Sequence, residues 1–129
     1  MSTMHAEDTV QCLTIENKDA LFFVPYSHIR YIESSHRTLS LYTKERPKPI
    51  CFQERFCVIE EALAPYGFFC TRKGTLLNLA YVTEIQKGTS TAYTSFGVSF
   101  PISRLRKKEL LSLFHTICEH NPAKRHCVF

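Results

Sequence analysis

Apolar and polar residues alternate over much of this chain, and the alternation predicts a protein built mainly of short strands. Two strands, over 10–15 and 21–24, flank a turn-forming segment and predict an opening hairpin. Two more, over 29–32 and 39–43, surround a polar loop at 33–37. Further strands are predicted over 50–52, 68–72, 82–86, 89–96 and 98–103, with Gly88 and Gly97 at turns. The predicted fold class is therefore mainly β, of the α+β kind.

Two segments carry apolar residues at helical spacing instead. Phe56, Ile59 and Leu63 recur up to a Pro65-Tyr66-Gly67 stop, which predicts one internal amphipathic helix. A C-terminal helix is predicted to begin near Leu105 and to end before Pro122, because proline cannot continue a helix. Its apolar stripe consists of Leu110, Leu111, Phe114, Ile117 and Cys118.

The length of 129 residues fits one domain, and no long stretch rich in proline, glycine or serine marks a linker. We expect a single domain over 10–120, a loosely held N-terminus over 1–9 and a flexible tail over 121–129. No apolar run is long enough for a membrane helix, and the N-terminus lacks the features of a signal peptide. The expected location is the cytoplasm, with no membrane partner.

Candidate catalytic and metal-binding groups are scattered through the chain. The six cysteines lie in apolar segments without an export signal, which favours free thiols over disulfides. His115 and Cys118 share a helix face, but no Cys-x-x-Cys accompanies them, so we expect no metal. No Gly-rich phosphate loop or hydrolase motif occurs. We therefore expect no enzymatic activity, no cofactor and no small-molecule substrate.

Positive charge is modest overall but locally concentrated. The net charge of +4 and pI near 8.8 are compatible with a nucleic-acid partner without requiring one. Basic residues gather at 44–48, at 72–73 and at 104–108. The local clusters, more than the total, suggest where an anionic partner would bind.

Three motifs occur in order: Tyr31-Ile32-Glu33-Ser34, a segment from Phe68 to Asn78 containing Arg72-Lys73-Gly74, and Pro101-Ile102-Ser103-Arg104. Together they resemble the signatures of the LytTR family of bacterial DNA-binding domains, over about residues 13–117. The resemblance implies an elongated arrangement of small antiparallel β-sheets with loops that enter the major groove. It also implies a sequence-specific regulator of transcription that binds duplex DNA, with two copies on paired repeats and a homodimer on DNA.

The resemblance places DNA contacts in three regions: the loop at His36 and Arg37, the segment at Arg72 and Lys73, and Arg104. Considered without its motif, Arg104 would usually be interpreted as a surface arginine in a salt bridge. The intact Pro-Ile-Ser-Arg motif favours DNA contact instead.

Three further candidates lie beside Arg104. Ser103 caps the last helix or touches DNA, and capping is the commoner role. Arg106 and Lys107 form either a solvated helix face or a ridge facing phosphate; positive charge at a helix N-terminus opposes the macrodipole and so favours the ridge. Asn78 matches a family landmark, but the hypothesis for it is structural, as a turn-closing side chain.

The middle motif departs from the family pattern at three positions. Cys70 stands where the family has arginine, Arg72 where it has histidine and Gly74 where it has serine. A phosphate contact of the missing arginine would be absent or shifted to Arg72 or Lys73. In addition, the residues before Val10 are too few for the receiver domain that usually precedes this module. Both features support the alternative: a protein-interaction module, or an antagonist of LytTR-type regulators, that keeps the fold without DNA recognition.

Overall fold

The computed structural model describes residues 12–119, which form ten strands and two α-helices. The strands are β1 (Cys12–Glu16), β2 (Leu21–Pro25), β3 (Ile29–Ser35), β4 (Thr38–Thr43), β5 (Ile50–Gln53), β6 (Phe68–Arg72), β7 (Thr75–Asn78), β8 (Val82–Gln86), β9 (Thr91–Thr94) and β10 (Ser99–Pro101). The helices are α1 (Phe56–Leu63) and α2 (Arg104–Glu119), and single 3-10 turns lie at Tyr26–His28, Ala64–Tyr66 and Leu79–Tyr81. The chain forms two compact units, one up to Tyr81 and one from Val82 onward.

The first unit contains the hairpin β1–β2 and a five-stranded antiparallel sheet in the order β5-β4-β3-β7-β6. Asn17 closes the hairpin, since its Oδ1 accepts hydrogen bonds from the backbone nitrogens of Asp19 at 2.9 Å and Ala20 at 3.0 Å. An asparagine side chain often forms this kind of turn. The opening hairpin predicted from the sequence is thus confirmed.

One face of the five-stranded sheet carries the core of the first unit. Alternate residues of β4 point into it, and α1 contributes Ile59 and Leu63. β3 contributes Ile29 and Ile32, which are three positions apart because a bulge lies between Ile29 and Tyr31. Its fully buried members include Ile29, Ile32, Leu39, Leu41, Leu63 and Leu76. Each such side chain contributes roughly 1.5–3 kcal/mol on burial, so this cluster holds the sheet and its turns in place.

The second unit contains a three-stranded antiparallel sheet in the order β10-β9-β8, followed by α2. Its buried side chains include Ala92, Phe100, Ile102 and Leu110. The backbone nitrogen of Ile102 donates to the carbonyl of Ser90 at 2.8 Å, which fixes the chain just before α2 begins.

The mainly β fold class and both predicted helices are confirmed. The loop predicted over 33–37 is wrong in extent, because β3 runs on to Ser35 and only His36 and Arg37 form the turn. The strand β7 was not predicted at all. All four of its residues are buried, so it shows no alternation that a sequence pattern could detect.

Several expectations concern parts of the chain beyond this description. The loosely held N-terminus over 1–9 and the tail over 121–129 lie outside the described residues, as do the side chains of Ile117 and Cys118. A single domain over 10–120 remains a prediction. Within residues 12–119, neither helix is long and apolar enough to cross a membrane.

Candidate functional site

Two hairpin turns lie side by side at one end of the five-stranded sheet. They are the β3–β4 turn at 36–37 and the β6–β7 turn at 73–74. β3 pairs antiparallel with β7, with Glu33 opposite Thr75, and the backbone nitrogen of Ser34 donates to the carbonyl of Gly74 at 2.8 Å. The pairing brings together two of the predicted contact regions, His36-Arg37 and Arg72-Lys73.

Both turns need a residue in the left-handed region of backbone conformation. His36 has φ of 58° and Gly74 has φ of 82°. Histidine is among the residues that adopt this region more often than most, and glycine adopts it at no steric cost. The glycine that replaces the serine of the family pattern therefore suits the backbone at this position.

A third segment, the junction between β5 and α1, reaches the same end of the sheet. Gln53 pairs with Thr38 at the start of β4, so the chain leaves β5 beside the β3–β4 turn. Arg55, the residue before α1, borders with Arg37 a groove of about 470 Å³. Sequence reasoning missed Arg55. The available signal was its position between a predicted strand and a predicted helix start.

Four exposed cationic side chains therefore lie at this end of the sheet, and we call them the basic cluster: Arg37, Arg55, Arg72 and Lys73. Among the described side chains of residues 12–115, no carboxylate oxygen lies within 4.0 Å of a charged nitrogen of these four. Two carboxylates lie in the lining of the adjacent grooves: Glu54, which accepts a hydrogen bond from the backbone nitrogen of Arg55 at 3.1 Å, and Glu33. The arrangement leaves an excess of positive charge available to an anionic ligand.

A second groove, of about 630 Å³, is lined by the β6–β7 turn. Arg72 and Lys73 line it together with the hydroxyl groups of Ser35, Ser40 and Tyr42. These side chains offer cations and hydrogen-bond donors on one concave surface. Phosphate and sugar oxygens are the nucleic-acid groups that such donors commonly contact.

The tyrosine of this groove is stacked on a second tyrosine. The rings of Tyr31 and Tyr42 are 4.3 Å apart and inclined by 10°. Burial, followed by Tyr42 and then Glu33, raises the pKa of Tyr31 to about 12. Burial also raises the pKa of Tyr42, with Glu33 adding to the effect. Both phenols therefore stay neutral at physiological pH and do not add negative charge beside the basic cluster.

The basic segment at 44–48 does not belong to this end of the sheet. It follows the C-terminal end of β4, whereas the β3–β4 turn precedes that strand. His28 pairs with Glu45 there, and the guanidinium carbon of Arg46 lies 5.2 Å from the ring centre of Phe22. Of the basic segments in the first unit, only the one at 72–73 joins the predicted loop at 36–37.

The second unit holds the remaining predicted residues at the start of α2. Ser103 caps the helix, because the backbone nitrogen of Arg106 donates to its Oγ at 3.3 Å. The interpretation of Ser103 as the cap is supported by this contact.

Two of the three basic residues in the first turn of α2 have internal partners. The guanidinium of Arg106 lies 3.5 Å from a carboxylate oxygen of Glu109, and the ammonium of Lys107 donates to the carbonyl of Lys87. Arg104 is exposed and has no ion-pair partner within the described residues. Of the predicted side chains in this unit, Arg104 is the most available to a ligand.

Burial accounts for one of the three departures from the family pattern in the middle motif, namely Cys70. Cys70 is only 6% exposed within the core of the first unit, and its thiol donates to the carbonyl of Arg72 at 3.0 Å. A side chain at this position faces the core and not the groove. Cys70 therefore cannot make the phosphate contact that the resemblance places at this position.

Asn78 ties three backbone segments together. Its Nδ2 donates to the carbonyls of Ile29 at 2.8 Å and Tyr26 at 3.3 Å, and its Oδ1 accepts from the nitrogen of Ala80 at 3.0 Å. The side chain is 3% exposed, so it is inaccessible to a ligand. These contacts agree with the structural hypothesis for this residue.

Metal ligation has no support in the part of the chain that the structure describes. Among the side chains described, those of residues 12–115, no three histidine, cysteine or acidic groups come close enough together to hold an ion. The described cysteines Cys12, Cys51, Cys57 and Cys70 are free thiols. Three further histidine and cysteine residues follow the pair His115 and Cys118 in the sequence, and they lie outside the described residues: His120, His126 and Cys127.

Comparisons with known proteins agree on one family. The sequence-family model of the LytTr DNA-binding domain matches residues 19–115. Among solved structures, the chain is similar to the LytTr DNA-binding domain of a putative methyl-accepting/DNA response regulator from Bacillus cereus. That match has a TM-score of 0.68 and 19% identity, and it covers 81% of this chain and 96% of the other. No curated protein matches the chain.

Proposed function

Because the chain belongs to the LytTR DNA-binding domain family, we propose that it is a sequence-specific regulator of transcription that binds duplex DNA in the major groove. In this proposal the basic cluster of the first unit holds the DNA backbone and its turns approach base edges, while Arg104 of the second unit contacts a base. The protein acts as a binding module without catalysis, in the cytoplasm where bacterial DNA lies.

The observation that carries the proposal is the basic cluster. Antiparallel pairing of β3 with β7 and of β4 with β5 brings Arg37, Arg55, Arg72 and Lys73 to one end of a single sheet. Exposed cations without carboxylate partners repel one another and contribute little to the stability of the folded protein. An anionic polymer such as DNA offsets this repulsion, and the release of its condensed counterions drives binding.

Each residue has a proposed role that follows from its chemistry. Arg104 presents a rigid fork of donors that fits the O6 and N7 acceptors of guanine. Lys73 and Arg55 are proposed to hold phosphates, and His36 and Arg37, at the tip of their turn, to contact bases or phosphates. Ser103 orients Arg104 through the helix cap, while Arg106 and Lys107 contribute to the local positive potential.

Two copies of the protein are proposed to bind paired repeats about one helical turn apart, as a homodimer on DNA. Half-sites at that spacing present the same groove to both copies. Inserting about half a turn between the repeats would rotate one half-site to the far side of the duplex and remove the joint binding.

The first prediction concerns salt. Duplex binding is expected to weaken steeply as salt concentration rises, with a slope of log K against log salt of about −0.9 for each phosphate neutralised. Fluorescence titrations of a site selected from random duplex DNA, at several salt concentrations, measure this slope. If the protein binds no duplex even at low salt, the proposal is wrong and the interaction-module alternative replaces it.

The second prediction separates the two ends of the five-stranded sheet. Lys73→Ala and Arg55→Ala are each expected to weaken binding to all sequences by a similar factor and to make the salt slope shallower by about one unit. Lys48→Ala is the matched control, because it also removes one exposed cation but lies in the segment at the opposite end of the sheet. Equal effects from all three variants would show that net charge, and not the basic cluster, governs binding.

A further inference from the structure

The first turn of α2 carries a leucine that is almost entirely exposed. Leu105 is 89% exposed, whereas Leu110, on the apolar stripe of the same helix, is fully buried. Leu105 directly follows Arg104, the exposed arginine of the candidate site. An isolated leucine at this position contributes nothing to the packing of its own unit, so its apolar side chain is available to a ligand.

The surroundings of Leu105 argue against a protein partner. Its helix-surface neighbours at i+3 and i+4 are Lys108 and Glu109, which are both exposed and charged. The cores of protein interfaces are depleted of such charges, and a docking surface needs a contiguous apolar patch. A single apolar contact within a polar, positively charged setting fits the major groove better.

We propose that Leu105 contacts the C5 methyl group of a thymine next to the base contacted by Arg104, an inference that rests on the proposed DNA-binding function. In the major groove, the thymine methyl is the apolar group that a protein side chain can recognise. Consecutive Cα atoms are about 3.8 Å apart, close to the rise of about 3.4 Å between stacked base pairs. The Cα atoms of Arg104 and Leu105 therefore lie within about one base-pair step of each other, with their side chains separated by about 100° around the helix axis.

Hydrogen bonds hold the backbone from which the two side chains project. Ser103 caps the helix through its Oγ, and Ile102 is anchored to Ser90 by a backbone hydrogen bond of 2.8 Å. These hydrogen bonds therefore fix the backbone both before and within the first turn of α2. A fixed backbone lets Leu105 discriminate between bases and not merely add apolar surface.

The test uses DNA in which each thymine of a selected site is replaced, one at a time, by deoxyuridine, which lacks only the methyl group. For the wild-type protein, removal of one particular methyl is expected to weaken binding by about threefold to tenfold, the scale of one buried methyl group. Leu105→Ala is expected to bind the unmodified site more weakly by a similar factor and to lose its sensitivity to that methyl. Leu21→Ala, which truncates another exposed leucine in β2, should leave the sensitivity unchanged.

The outcomes distinguish this inference from the function on which it rests. If the wild-type protein binds the site but Leu105→Ala keeps the same sensitivity to every methyl, the inference alone is overturned. If Leu105→Ala instead changes self-association in sedimentation experiments without changing methyl sensitivity, Leu105 belongs to a protein interface and the inference is also overturned. If the wild-type protein binds no duplex, the proposed function itself fails.

Discussion

Replacing Arg104 by alanine is expected to abolish base preference at one position of the DNA site. A bidentate contact from arginine to guanine is worth roughly 1–3 kcal/mol of discrimination, which corresponds to about fivefold to 150-fold in relative affinity. Arg104 is exposed and has no ion-pair partner among the described side chains, so alanine should change the free energy of unfolding by less than about 0.5 kcal/mol. Competition titrations with single-base variants of a selected site, beside thermal unfolding, measure both quantities.

Two further variants define what Arg104 contributes. Arg104→Lys keeps the charge but loses the planar fork, so it should retain the salt slope while losing the base preference. Arg106→Ala is the matched control for base preference, because Arg106 lies two residues further along the same helix and its guanidinium pairs with Glu109 at 3.5 Å. If Arg104→Ala strongly destabilises the protein, or leaves affinity and preference unchanged, Arg104 is a structural residue and the site assignment is wrong.

Replacing Asn78 by alanine is expected to lower the free energy of unfolding by about 2–4 kcal/mol. The change removes two donated hydrogen bonds, to Ile29 and Tyr26, and one accepted from Ala80. The partners lie in a region where Asn78 itself is 3% exposed, so water cannot easily replace the lost contacts. A buried polar group left without a partner costs about 1–3 kcal/mol. Chemical denaturation monitored by circular dichroism measures the loss.

Asn17 provides a matched control for Asn78. It also makes three hydrogen bonds to backbone groups, to Asp19, Ala20 and the carbonyl of Cys51, but in a solvent-exposed setting. Asn17→Ala should therefore cost about 1 kcal/mol or less, because water can satisfy the freed groups. Equal losses from the two variants would contradict the view that burial makes Asn78 essential to the first unit.

The sequence predicted the local elements well where a pattern reports directly on one buried face. The alternation of Leu39 and Leu41 with polar neighbours marks β4, and both side chains are buried as expected. The helix stop at Pro65-Tyr66-Gly67 is likewise confirmed, since Gly67 has φ of 88° just past the end of the last turn. The resemblance to the LytTR family, drawn from three short motifs, is confirmed by the family match over 19–115.

The candidate site was predicted less completely, because its composition depends on contacts between distant segments. Arg72 and Lys73 were singled out through the resemblance, and both are exposed at the β6–β7 turn, but nothing in the sequence showed that they share one end of the sheet with Arg37. Lys107 was predicted as a phosphate contact, yet the structure gives its ammonium a carbonyl partner at Lys87. Its role in DNA binding remains a prediction.

What the sequence by itself determined is both helices, every strand except β7, and the family, since each depends on the order of neighbouring residues. What only the tertiary structure decided is which strands pair and which loops therefore meet. β7 is buried throughout and has no periodicity, yet its pairing with β3 brings the β6–β7 turn beside the β3–β4 turn. Arg55 joins them because β5 pairs with β4. Periodicity shows that a residue is buried but not what it is buried against, so the basic cluster could be found only in the folded chain.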